Sequence, residues 1–150
     1  MIEAEQIRRA SVHWSGNRDL GRGSVSADTS GAFRDLAVTW PSRTEAADGR
    51  TSPEELLAAA HASCFSMAFA GTLTREGTPP GDVDITATVT FQRVEAKWSV
   101  VSSHLDVRGR VEGITAEAFA DAAERAKENC PISRALKGNV ELSVTATLEA

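Results

Sequence analysis

One stretch limits the fold of this chain more than any other: residues 52–73, SPEELLAAAHASCFSMAFAGTL. It opens with the marks of a helix start. Ser52 stands at the N-cap, Pro53 at the first helical position, and Glu55 three residues on completes a capping box. The spacing predicts one helix to about Arg75, ended by Gly77 and barred from continuing by Pro79 and Pro80. That helix is apolar nearly all round, through Leu56, Leu57, Ala58, Ala59, Ala60, Ala62, Phe65, Met67 and Phe69. A helix without a polar face must be covered on every side. A strand-rich chain of 150 residues has little left with which to enclose it. The expectation is therefore a dimer with two copies of this helix packed at its centre, their small residues allowing close approach. The run Leu56–Leu73 is nearly long enough to span a bilayer, but it carries His61, Ser63, Ser66 and Thr72 and is dominated by alanine. It reads as the core helix of a soluble protein.

The flanks supply sheets. Polar and apolar residues alternate over Ala10–Gly16, Gly23–Asp28 and Arg34–Trp40, which predicts three strands, with Pro41–Gly49 as a loop. Two longer alternating runs, Val83–Val94 and Trp98–Val111, form a hairpin across Glu95-Ala96-Lys97. Thr115 caps an amphipathic helix with Ala118, Phe119, Ala122, Ala123 and Ala126 on one face; a brief helix over Pro131–Lys137 and a closing strand after Gly138-Asn139 complete the chain. The order βββ-α-ββ-αα-β is an α+β fold, read as one domain over residues 1–150. The net charge of −5, with no lysine or arginine run, argues against nucleic acid and anionic membrane as partners. The N-terminus MIEAEQIRRASVHW has no apolar signal region, so a reducing, cytoplasmic setting is expected. There a cysteine pair more often marks redox or metal chemistry than a permanent disulfide.

The two cysteines sit in different settings. Cys130 precedes Pro131, the natural first residue of the short helix, so its thiol is at an N-cap position where the helix dipole favours a thiolate. Cys64 lies mid-helix, where burial alone raises a thiol's pKa and makes it inert unless a cation is delivered. Arg18, Arg22, Arg43 and Arg50, all in loops ahead of the helix, are the candidates. Two small hydrophobes packed in a core would need no such arginine, and the residues alone leave both readings open. His61 and Cys64 are i, i+3 on one helical face and could share a metal with Cys130, but no CxxC is present and the surroundings are apolar. No metal or cofactor is assigned. His61 is expected as a packed helix residue hydrogen-bonded to backbone.

The runs TSPEELLAAAHASCFSMAFAGTL and NCPISRALKGNVELSVTATL, with VHWSGNRDLGRGSVSADTSG before them, resemble the OsmC/Ohr family of thiol-dependent hydroperoxide reductases. The resemblance covers the chain from about residue 8, and AAHASCFSM is more similar to the OsmC branch than to the Ohr branch. It implies an intertwined homodimer in which antiparallel sheets from both chains wrap two central helices. It implies Cys64 as the thiolate that attacks the peroxide, Cys130 as the resolving thiol, and Glu54 as the carboxylate that pairs an arginine beside the reactive sulfur. Aligned backward from TSPEEL, Arg43 in WPSRTE is the first match for that arginine. Ohr-type members draw it from the first turn, where Arg18 and Arg22 compete, and Arg22 is held in reserve. The implied substrates are organic hydroperoxides, and the implied reductant is a lipoyl-type dithiol. A redox sensor or a non-catalytic small-molecule binder of the same fold are the rival classes; lack of an arginine at Cys64 would favour the binder.

Overall fold

A computed structural model describes residues 4–150; the first three, where the reading of the N-terminus begins, lie outside the described range. Contacts divide the chain into two compact units, one ending at Pro53 and the other running Glu54–Ala150.

In the first unit the alternating runs become β1 (Ala10–Ser15), β2 (Arg22–Ala27) and β3 (Leu36–Val38), antiparallel in that order. The register sets Val12 against Val25 and Val25 against Leu36, then Trp14 against Gly23 and Gly23 against Val38. Because side chains alternate across a strand, these apolar residues share one face, leaving Ser11, His13, Ser24 and Ser26 on the other. Gly23 is required by its neighbours: a Cβ there would sit 2.7 Å from Trp14 Cε3 and 2.9 Å from Val38 Cγ2. The third strand is shorter than Arg34–Trp40, because Asp35 turns left-handed at φ 53° and Thr39 already caps a helix. That helix, α1 (Trp40–Thr44), corrects the loop expected over Pro41–Gly49. Thr39 Oγ1 accepts the Ser42 N–H at 3.1 Å and Ser42 Oγ accepts the Thr39 N–H at 3.1 Å. Serine thus fills the place that a sequence search reserves for Glu or Gln.

The second unit opens with α2 (Pro53–Arg75), followed by β4 (Asp82–Val94) and β5 (Lys97–Arg110). These pair antiparallel through Glu95 and Ala96, both left-handed at φ 50° and 66°, so the connection is a two-residue turn and Lys97 already belongs to the strand. Next come α3 (Ala116–Asn129), α4 (Pro131–Leu136) and β6 (Glu141–Leu148). β6 lies on the other edge of β5 and runs parallel to it, from Ser102↔Glu141 to Gly109↔Leu148. The sheets are therefore not antiparallel throughout, as expected from the resemblance; the α3–α4 crossover is the connection that a parallel pair needs.

The core gathers Phe65, Phe69 and Leu73 of α2, Leu105 and Val107 of β5, and Phe119, Ala122, Ala123 and Ala126 of α3. Phe69 meets Phe119 edge-on with ring centres 5.1 Å apart, and Gly109 makes room, since a Cβ there would lie 2.9 Å from Phe119 Cζ. Burial of each large side chain contributes about 1.5–3 kcal/mol.

α2 is covered on one side only. His61, Phe65, Phe69, Thr72 and Leu73 are buried, whereas Ala59, Ala60, Ser63 and Met67 are exposed, Met67 to 70%. Ser63, Ser66 and Thr74 turn their hydroxyls back onto carbonyls of their own helix, at 2.7 Å each. Among the described residues α2 is the one helix long and apolar enough to cross a membrane, but its packed stripe belongs to the core just described.

Candidate active site

The junction of α3 and α4 follows from Pro131. A residue before proline is steered out of the helical region, and Cys130 accordingly sits at φ −61°, ψ 122°. It closes α3, its N–H bonded to Ala126 O at 2.8 Å, and its own carbonyl accepts the Arg134 N–H at 2.9 Å to begin α4. Proline has no N–H to give, so the first donor offered by α4 is that of Ile132.

That donor goes to Cys64, not to Cys130. Cys130 makes no side-chain bond to the helix it caps and is wholly buried. Cys130 thus holds the N-cap position read from the sequence, while the first N–H of α4 faces the sulfur of Cys64. Cys64 is half-buried on α2, with both cysteines free and their thiols close enough to influence each other. Burial pushes the Cys64 thiol above its ordinary range; the Ile132 N–H pulls it down, and the bond to and charge of Cys130 push it up further. In the reduced protein the balance is upward, as expected for a mid-helix thiol.

One turn earlier, His61 is fully buried. Its Nδ1 is hydrogen-bonded to Ser103 Oγ of β5 at 2.6 Å and its Nε2 to Ser133 Oγ of α4 at 2.8 Å. The expected backbone partners are replaced by two serines, because the ring points between β5 and α4 rather than along its own helix. Burial holds the ring below the usual histidine range, hence neutral.

The arginines belong to the first unit. Arg18 and Arg43 both lie over the Trp40 ring, with guanidinium carbons 4.4 and 5.5 Å from its centre. Arg18 also binds Asp19 at 2.6 Å, which raises its pKa. Arg22 is exposed at the head of β2, opposite Ser15, and is not one of the pair over Trp40. Arg50 bonds Asp48 at 3.2 Å. Glu54, in the first turn of α2, is buried to 8% exposure, where a carboxylate needs compensating partners.

The sequence pattern of a family described as OsmC-like protein matches residues 46–145. The chain belongs to the OsmC-like family. Within it, the chain is 36% identical over 135 residues to peroxiredoxin OsmC of Escherichia coli (strain K12), covering 90% of this chain and 93% of that one. Organic hydroperoxide resistance protein OhrA of Bacillus subtilis (strain 168) is 29% identical over 111 residues, 73% of this chain and 77% of its own. In three dimensions the fold matches organic hydroperoxide resistance protein OhrB of Bacillus subtilis with a TM-score of 0.73 at 26% identity, covering 93% and 98% of the two chains.

In this OsmC-like chain the structure brings Cys64 and Cys130 together, and sets Arg18 and Arg43 each against the Trp40 ring. Sequence reasoning missed Ile132, Ser103, Ser133 and Trp40. Pro131 carried the signal for Ile132, since a proline at the first helical position hands the first free N–H to the next residue. The serines had no signal beyond polar residues within otherwise apolar runs.

Proposed function

We propose that the protein is a cysteine-based peroxidase that reduces organic hydroperoxides, with Cys64 as nucleophile and Cys130 as resolving thiol. The observation that carries this reading is that the two free thiols lie close enough to influence each other, with the first N–H of α4 facing Cys64. The names of the relatives, peroxiredoxin and organic hydroperoxide resistance protein, point the same way.

The Cys64 thiolate attacks the distal peroxide oxygen. The O–O bond breaks, sulfur is oxidised to a sulfenic acid, and the departing alkoxide takes a proton to leave as an alcohol, or water where the substrate is hydrogen peroxide. The Cys130 thiol then attacks the sulfenic sulfur, and water leaves as the disulfide forms. A dithiol, lipoyl-type by family resemblance, restores both thiols by two exchanges. Because burial raises the Cys64 thiol, the cycle needs a cation at the sulfur. A guanidinium from the pair over Trp40 supplies it, Arg43 ahead of Arg18 and both ahead of Arg22, with Glu54 holding it in place. The apolar residues beside Cys64 suit a substrate with a hydrocarbon part. The working form is a cytoplasmic homodimer joined through the uncovered face of α2, where hydroxyls are already bonded inward and no charge lies between Glu55 and Arg75.

Stopped-flow mixing with cumene hydroperoxide and with hydrogen peroxide tests the reading. Wild type turns over with a dithiol and prefers the organic peroxide. Cys64→Ser does neither step, while Cys130→Ser consumes one equivalent and stops with a sulfenic acid trapped at Cys64. Turnover in Cys64→Ser would sink the assignment.

A further inference from the structure

α4 is six residues long, too short to hold its own shape in water, so something else must fix where its first turn points. Two links tie it to α2. The Ile132 N–H faces the Cys64 sulfur, and Ser133, the next residue, is hydrogen-bonded to His61 Nε2 at 2.8 Å. His61 and Cys64 are themselves one turn apart on the same face of α2, so the links are parallel and adjacent. Only one of them is independent of the chemistry, because the Ile132 N–H faces a sulfur whose bonding changes when Cys64 is oxidised or joined to Cys130. The His61–Ser133 bond involves no reacting atom.

The ring is fixed at its other side too. Ser103, which holds Nδ1 at 2.6 Å, is fully buried on β5, and β5 is paired on both edges, to β4 and to β6. Rotation of the imidazole would break both bonds in a setting where an unmade bond is costly. Among the described residues no buried side-chain nitrogen or oxygen lacks a partner. A closed polar network of this kind adds little net stability compared with apolar residues of the same shape, but it does fix geometry. The ring is neutral, so its contribution to the thiolate is placement, not charge.

We propose that His61 is a positioning residue, which with Ser103 and Ser133 fastens the first turn of α4 to the sheet and so keeps the Ile132 N–H on the Cys64 sulfur and Cys130 within reach of it. The proposal rests on the reading of Cys64 as the reactive thiol. It deepens that reading by naming what holds the sulfur's donor.

Alkylation by iodoacetamide as a function of pH tests it, followed peptide by peptide by mass spectrometry in the two-cysteine protein with no peroxide present. Ser133→Ala should slow Cys64 alkylation at pH 7 roughly tenfold, the scale of a lost hydrogen bond to a charged group, and move its pH midpoint upward. Ser133→Thr, which keeps the hydroxyl, should stay within about twofold of wild type, and Ser103→Ala should shift the midpoint in the same direction as Ser133→Ala. A Ser133→Ala protein that melts lower yet alkylates with the wild-type pH curve overturns the proposal, since a purely structural bond would do that. If Ser133→Ala does not fold, His61→Asn is titrated in its place, with the same expectation and the same overturning result. Because no peroxide enters the assay, a failure here leaves peroxidase activity untouched, and a wild type inactive on peroxides leaves this test standing.

Discussion

The two units of the chain are built on opposite terms. The second closes around its own core: eleven buried residues, from Phe65 to Cys130, form one cluster drawn from α2, β5 and α3 with Val111 and Cys130 beside them. The first has a good apolar face and almost nothing covering it. Of that face only Val25 and Gly23 are buried, while Val12 is exposed to 59%, Trp14 to 40% and Leu36 to 38%. The chemistry divides the same way, with both thiols in the closed unit and the candidate arginines in the open one. The contrast is one of burial: the second unit covers its own apolar residues, and the first leaves most of its apolar face exposed.

The largest effect should come from the closed core. Phe69→Ala removes a ring packed on both Phe65 and Phe119 and should cost about 3–5 kcal/mol in urea unfolding. Val12→Ala, exposed in the open sheet, should cost less than about 1 kcal/mol in a monomer. A loss at Val12 that grows with protein concentration would sharpen the contrast, by showing that a second copy covers the sheet. Equal losses at both positions at every concentration would break it.

Next is the bare face of α2. Met67→Glu sets a charge where the proposed dimer has none, and should weaken association at least about a hundredfold, near 3 kcal/mol. Sedimentation of wild type and variant decides it: a wild type that is monomeric at micromolar concentration removes the dimer from the proposal.

Smaller again is the effect of the arginines. Arg43→Ala should slow peroxide reduction by roughly 10–100-fold, the worth of a hydrogen bond to a charged sulfur, while leaving the melting temperature nearly unchanged. Arg18→Ala should do less, because the resemblance puts Arg43 first for this role. The reverse order would transfer the role to the first turn of the chain, and no effect from either would bring back Arg22.

Much of this was legible in the sequence because the strongest signals are local. The reach of α2, the alternation of β1 and β2, and the break imposed by Pro131 each follow from neighbouring residues, and the observed bounds differ by a residue or two. What escaped depends on contacts distant in the chain. Nothing local says that β6 pairs with β5 in parallel, since alternation is the same in either direction. α1 looks like loop in sequence because its cap uses serine. The helix-end donor was given to Cys130, the nearest sulfur in sequence, when it belongs to the nearest in space, Cys64. His61 was read as bonded to backbone because its partners, Ser103 and Ser133, lie 42 and 72 residues away.

His61 also provides the smallest and most specific test of the closed unit. Its ring is held below the usual histidine range by burial. Above about pH 7 the imidazole is neutral whether the chain is folded or not, so the network contributes fully. As pH falls through about 6.5, the ordinary histidine value, the unfolded chain takes up a proton that the folded chain refuses. Stability must therefore decline with falling pH, by up to about 1.4 kcal/mol per unit, until the folded ring protonates as well and the decline levels off. Other groups titrate in the same range, so the quantity to measure is the difference in urea stability between wild type and His61→Gln, taken from pH 8 to pH 5. That difference should be flat at the upper end and fall below about 6.5. A difference that stays flat throughout would mean the ring is as free to protonate in the fold as outside it, which its two serine bonds and full burial deny. A difference that rises on acidification would mean that folding favours the imidazolium, with Ser103 and Ser133 both accepting, and a positive charge would then stand one turn from Cys64.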